Sequence, residues 1–287
     1  MNNINYFLQF LFISLLFLIF KLLGWKYSGI FAGNIFKIIG PFFRSNQLCY
    51  SNLSKAFPEF DELDRKKIVK KMWFNYGQIF SEYMYLKDFR INKKFSEKII
   101  IKNQNILNSI KENSKPVVFI SGHFNNFELM AMHIEKSGIN LAAIYRPLNN
   151  IFLNPIMERI RKKYICKKQI KKGISGTKEI LNFFKNGTSI ALMIDQRVTE
   201  GLRTNFFGFP ASTTTIPAQF IKKFGASVVP IHIERNEKSN FVMTINEPLN
   251  FSENETTENI TSGLNEFIEK MIKKNPEQWI WTHNRWK

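Results

Sequence analysis

From Pro116 onward the chain alternates short continuous apolar runs with amphipathic stretches, and that alternation leaves few folds open to it. Residues 117–121, 141–145, 189–194, 227–233 and 241–245 read as strands. Residues 128–136, 156–164, 177–184, 217–224 and 260–274 read as helices. Strands that are apolar at consecutive positions are covered on both faces. The pattern therefore predicts an α/β fold, with a central mainly parallel or mixed sheet flanked by helices. Ligands of such sheets gather beyond the carboxyl ends of the strands. The residues with useful chemistry stand there: Ser121-Gly122-His123, Tyr145-Arg146-Pro147 and Asp195-Gln196.

The first part of the chain is different. Residues 4–23 are almost wholly apolar, and a helix over them would be about 30 Å long, one hydrocarbon core. No Lys or Arg precedes Lys21, and bulky Trp25 follows where a cleavable signal would place small residues. This predicts a membrane-anchor helix over 1–24 and one folded domain over 25–287. Lys21, Lys26, Lys37 and Arg44 all lie on its C-terminal side, which places the domain in the cytoplasm by the positive-inside rule.

Lys and Arg number 41 against 23 Asp and Glu, a formal charge of +18. Such a balance favours polyanionic partners: nucleic acid, anionic lipid or an acidic carrier protein. Between Arg159 and Lys178 there are nine basic residues and no acid, which beside an anchor suits anionic headgroups. Aromatics at 15% rule out a disordered basic tail. Cys49 and Cys166 form no CxxC pair, so the chain has no zinc ribbon or redox motif.

His123-Phe124-Asn125-Asn126-Phe127-Glu128 is the strongest catalytic candidate. In a strand-to-helix loop the imidazole can face a substrate while Glu128, on the first helical turn, reaches back to its other nitrogen. That would make a general base with an orienting acid. Gly122 lets the backbone approach a ligand. Asn125 or Asn126 can cap the next helix, whose free amides suit an oxyanion. Rival chemistries lack their signatures. His133-Ile134-Glu135 has the spacing of a zinc deaminase, but no PCxxC accompanies it. There is no HExxH, GxSxG, GxGxxG or GxxxxGK[ST]. Without a covalent nucleophile, the simplest chemistry is direct transfer to a bound hydroxyl.

Arg146 offers a planar fork for phosphate or carboxylate at a strand end. Asp195 suits orienting a substrate group or pairing with an Arg. Arg203 stands before Phe206-Phe207-Gly208-Phe209-Pro210, which reads as an aromatic loop, and it can meet phosphate. Trp279, Trp281 and Trp286 near the C-terminus suggest an interfacial aromatic patch.

Taken in order, these segments resemble the lipid A biosynthesis acyltransferases of the wider lysophospholipid-acyltransferase-like superfamily. The resemblance rests on the apolar N-terminus, Asn52-Leu53-Ser54-Lys55-Ala56-Phe57-Pro58-Glu59, and the His123-x4-Glu128 box. Tyr145-Arg146-Pro147, Asp195-Gln196, Phe206-Phe207-Gly208-Phe209-Pro210, Val229-Pro230 and Trp281-Thr282-His283-Asn284-Arg285-Trp286-Lys287 complete it. It implies a bacterial inner-membrane enzyme with its catalytic domain on the cytoplasmic face. It also implies an acyl-carrier-protein thioester as donor, a glucosamine-disaccharide lipid as acceptor, and neither a metal, a cofactor nor nucleic acid. By the resemblance His123 and Glu128 are catalytic, and Arg146 and Asp195 fall in the second and third boxes, for which substrate contact is expected, as it is for Arg203. Two alternatives stay open at this point: an acyltransferase for another glycolipid or phospholipid, and a non-catalytic protein that binds anionic lipid.

Overall fold

A computed structural model of the chain describes residues 3–238, 240–252 and 254–287; Met1 and Asn2, at the start of the expected anchor, lie outside the described residues. In chain order the elements begin with helices α1 (Asn3–Phe43), α2 (Asn46–Ala56), α3 (Glu62–Glu82), α4 (Leu86–Ile91) and α5 (Lys93–Ser96). Strand β1 (Ile99–Lys102), α6 (Gln104–Asn113), β2 (Val118–Ser121), α7 (Glu128–Lys136), β3 (Leu141–Tyr145) and α8 (Leu153–Ile160) follow. Then come β4 (Lys168–Lys171), α9 (Ile174–Lys185), β5 (Ser189–Met193), β6 (Leu202–Phe206) and β7 (Phe209–Thr213). The chain finishes with α10 (Ile216–Phe224), β8 (Val228–Arg235), β9 (Phe241–Ile245) and α11 (Thr257–Lys274).

Seven strands form one sheet in the order β1-β9-β8-β2-β5-β3-β4. Every pairing is parallel except β8 with β9. The α/β expectation is therefore met. The centre, β2 between β8 and β5, is fully buried along Val118–Ser121, as strands covered by helices on both faces must be.

Several elements depart from the expectation. The basic run does not form one amphipathic surface. It ends α8, passes through a π-helical turn (Arg161–Ile165) and supplies β4. As β4 is an edge strand, its Lys168 and Lys171 guard an open row of backbone groups against other strands, while Ile170 points inward and is fully buried. The aromatic loop is the hairpin β6–β7. Phe207 and Gly208 both have positive φ, 53° and 77°, as the tight turn of a twisted hairpin requires. The Phe207 N–H donates to Glu269 Oε1 at 2.7 Å, which holds that strained residue in place. Phe206 packs on Trp279 and Trp286. Trp279, Trp281 and Trp286 are all buried, so these tryptophans belong to the core and not to an interfacial patch.

Helix α1 breaks at Gly24 (φ 74°, ψ 163°), a conformation open to glycine alone. Beyond the break it crosses α3 at very close range. A Cβ on Gly77 would stand 2.2 Å from the Ala32 carbonyl oxygen, and one on Gly40 would meet the Trp73 ring. Before the break, Phe17 and Phe20 pack on Phe80, and Tyr85 donates its hydroxyl to the Phe20 carbonyl. The outer face is bare: Leu8, Leu11, Phe12, Leu15, Leu18 and Leu22 are all exposed. By length and composition α1 is apolar enough to cross a membrane.

His133, His232 and His283 are each pushed down to about 4, chiefly by burial. An unfolded chain binds these protons near pH 6.5. Between about 6.5 and 4 the unfolded state therefore takes up protons the folded state refuses, and stability falls as pH drops through that window. Thermal melts should show this decline, and His133→Leu should flatten it, because His133 Nε2 makes no hydrogen bond among the described residues. In a neutral-pH denaturation series, Gly77→Ala should lose about 1–3 kcal/mol, the usual cost of overpacking.

Candidate active site

The sheet register brings the site together. Ser121, the last residue of β2, pairs with Met193, the last of β5. His123 and Asp195 each lie two residues further on and face one another. Asp195 Oδ1 is 2.8 Å from His123 Nδ1. Asp195 Oδ2 accepts from the His123 backbone N–H at 2.7 Å and from Trp279 Nε1 at 2.8 Å. Burial alone would raise the Asp195 carboxyl, but the imidazole charge and these donors outweigh it and hold it below its ordinary value. An ionised Asp195 requires the proton of a neutral imidazole on Nδ1, which leaves the lone pair on Nε2. Gly122 permits the approach, since a Cβ there would lie 3.2 Å from the Asp195 carboxyl carbon and 2.8 Å from the Phe124 ring.

Glu128 does not hold the imidazole as the spacing suggested. Its Oε1 accepts from Tyr83 Oη at 2.9 Å, Arg161 Nε at 2.9 Å and Arg161 Nη2 at 2.7 Å. The reason is geometric. Five residues along the chain, past a tight loop, Glu128 starts α7 and turns toward α3 and the π-helical turn, while β5 delivers a different carboxylate to the ring. Burial opposes the Arg161 charge, but Glu128 beside it more than compensates and keeps the guanidinium protonated. Burial and the same carboxylate push the Tyr83 phenol above its ordinary range, so it remains a donor.

Nor is the helix after His123 an open row of amides. Phe124, Asn125, Asn126 and Phe127 donate their backbone N–H groups to Gly122 O, Gln278 O, Asn125 Oδ1 and Asn125 O. The Asn125 and Asn126 side chains are bound to Gln278 and Glu82, and Arg235 donates to Asn125 as well. Neither asparagine caps α7 with its side chain.

Asp195, expected at the substrate, sits buried behind the imidazole with both oxygens occupied. Arg146, the first residue beyond β3, and Arg203, on β6, are exposed, and neither makes a hydrogen bond or ion pair with His123. Three contributors went unassigned in the sequence reading: Tyr83, Arg161 and Trp279. Arg161 was hidden inside the basic run and Trp279 among terminal aromatics. No group of three or more His, Cys, Asp or Glu suited to a metal occurs among the described residues.

Around the site the surface is basic. Pro155, Glu158, Arg159, Lys162 and Lys163 line a hollow of about 480 Å³ on either side of Arg161 in the chain. The loop after β3 reaches α1: Asn150 Nδ2 donates to the Tyr6 carbonyl at 2.8 Å, and Phe152 packs on Phe7 and Phe10. The apolar first half of α1 thus lies beside the Arg146 segment.

Glu128→Ala should cost about 3–5 kcal/mol, because it strands the half-buried Arg161 cation, and a second change, Arg161→Leu, should recover most of the loss in denaturant titrations.

The profile of the bacterial lipid A biosynthesis acyltransferases matches residues 1–287. A lipid A biosynthesis acyltransferase of Haemophilus influenzae is 25% identical over 273 residues, 92% of this chain and 81% of the relative. The lipid A biosynthesis lauroyltransferase of Escherichia coli is 25% identical over 260 residues, 85% and 79% of the two chains. The lipid A biosynthesis myristoyltransferase of that organism is 22% identical over 256 residues, 88% and 76%.

Proposed function

The chain belongs to the bacterial lipid A biosynthesis acyltransferase family, and from that premise we propose a mechanism in which His123 is the general base. The activity is acyl transfer in lipid A biosynthesis. In our reading the donor is a thioester on acyl carrier protein and the acceptor a hydroxyl of a lipid A precursor. The observation that carries it is the His123–Asp195 pair, with a lone pair left on Nε2.

The acceptor hydroxyl gives its proton to His123 Nε2 as its oxygen bonds to the thioester carbonyl carbon. The carbonyl electrons move onto oxygen. The tetrahedral intermediate then collapses, the C–S bond breaks, and the departing thiolate recovers the proton from the imidazolium. Asp195 holds the ring and stabilises its transient charge. Glu128 supports the reaction differently from a direct partner of the ring: it fixes the Arg161 cation and the Tyr83 hydroxyl at the start of α7. Arg146, Arg203 and the exposed Arg159, Lys162 and Lys163 supply positive charge for a phosphorylated acceptor and an acidic carrier. The bare apolar face of α1 supports anchoring in the inner membrane, with the rest of the chain on its cytoplasmic side.

The test uses full-length protein in detergent, acyl carrier protein loaded with lauroyl, myristoyl or palmitoleoyl chains, and a lipid A precursor. The wild type should acylate the precursor with one of these chains. His123→Ala should lose about 10³-fold in rate while keeping the wild-type circular dichroism spectrum, with a melting temperature lowered by the loss of one partner of the buried Asp195. Near-normal turnover by that variant would reject the base.

A further inference from the structure

Beyond the base itself, we infer that Gln196 is a catalytic residue, whose side-chain amide donates to the oxyanion formed on the thioester carbonyl. The inference rests on His123 being the base, and it starts from a vacancy in the expected machinery. A tetrahedral oxyanion needs hydrogen-bond donors at the point where its charge develops. The amides from His123 to Phe127 are the nearest backbone candidates, and each is already committed to a protein acceptor. The side chains of Asn125 and Asn126 are committed as well. These amides and side chains are closed to an oxyanion, and a side-chain donor beside the imidazole is the alternative.

Gln196 follows Asp195 at the end of β5 and is half-buried. Its Nε2 lies 3.5 Å from His123 Nε2. Chemistry fixes which end of the amide faces the ring. Asp195 holds the Nδ1 proton, so His123 Nε2 presents a lone pair, and only the NH₂ group of Gln196 is compatible with it. At 3.5 Å this contact is long and weak. Gln196 makes no other hydrogen bond through its side chain among the described residues. Its amide is therefore a donor placed beside the reacting nitrogen and held by little else. When an acceptor hydroxyl binds to Nε2 it displaces that weak contact. The freed N–H then stands beside the nitrogen that receives the proton, and the attacking oxygen joins that nitrogen to the carbon under attack. Asp195 and Gln196 thus divide the work: adjacent residues of one strand exit hold the two sides of the same imidazole.

The experiment compares Gln196→Ala, Gln196→Met and Gln196→Glu with His123→Ala, all full-length, in the three-donor acylation assay across pH 5.5–9. Gln196→Met keeps the side-chain volume without a donor. Both Ala and Met variants should lose about 10²–10³-fold in kcat, as expected for one oxyanion donor, with the acceptor KM changed less than threefold. Gln196→Glu should lose at least as much, and the acid limb of its rate profile should move to higher pH, because a carboxylate beside Nε2 favours the imidazolium. A residue that only fills space would leave the Met variant active. Retention of kcat within threefold by the Met variant overturns the oxyanion role of Gln196, and an unshifted limb in the Glu variant overturns its placement beside Nε2 on which that role depends. If His123→Ala itself stays active, the base reading fails instead, which keeps the two outcomes apart.

Discussion

A single buried carboxylate, Asp195, ties together three separate parts of the chain. It accepts hydrogen bonds from the ring and the backbone N–H of His123 and from the indole N–H of Trp279. Those three bonds join β5, the loop after β2 and the C-terminal segment at one point. Removing a charge from water is costly unless it is paired and hydrogen-bonded. Here each donor is fixed by an element with its own reason to be where it is. Trp279 is held in the aromatic core with Phe206 and Trp281. Asn52 of α2 donates to the carbonyls of both Trp281 and His283. The imidazole is thus aimed by the core itself.

The second carboxylate, Glu128, shows how proximity in the chain differs from proximity in space. It lies near His123 in sequence, yet its bonds go to Arg161 and Tyr83. The two acids have separate tasks. Asp195 sets the tautomer of the His123 ring, and Glu128 compensates a cation and accepts from a phenol at the foot of α7. The π-helical turn that delivers Arg161 is a local irregularity of the kind often found at functional sites.

The central strands were legible because burial on both faces writes continuous apolar runs into the sequence, as at β2, β5 and β8. The edge strand β4 was not, since Lys168 shares a face with Ile170 and the strand shows no apolar alternation. The β6–β7 hairpin was missed because its turn, Phe207-Gly208, lacks the usual Asn or Asp and is held by a distant Glu269. His123 was singled out from its place at a strand end. Its partner was misassigned because spacing along a chain reports neighbours on one element, whereas Asp195 arrives from a neighbouring strand. A signal was present: His123 and Asp195 stand at the same offset beyond two strands that the α/β pattern makes candidates for pairing. The Trp-rich terminus misled for a related reason, as amphipathic aromatics suit a bilayer boundary and a core with polar acceptors equally well.

The pairing of Ser121 with Met193 has one more consequence. No mobile loop sets the distance between His123 and Asp195; the ladder of hydrogen bonds between two inner strands acts as its ruler. Misaligning those groups demands that the ladder itself slip or unzip, which is the costliest opening a sheet of this kind can undergo. The geometry of the pair and global folding therefore share one cooperative unit. Heat should extinguish both at the same temperature, with no silent, folded intermediate between them.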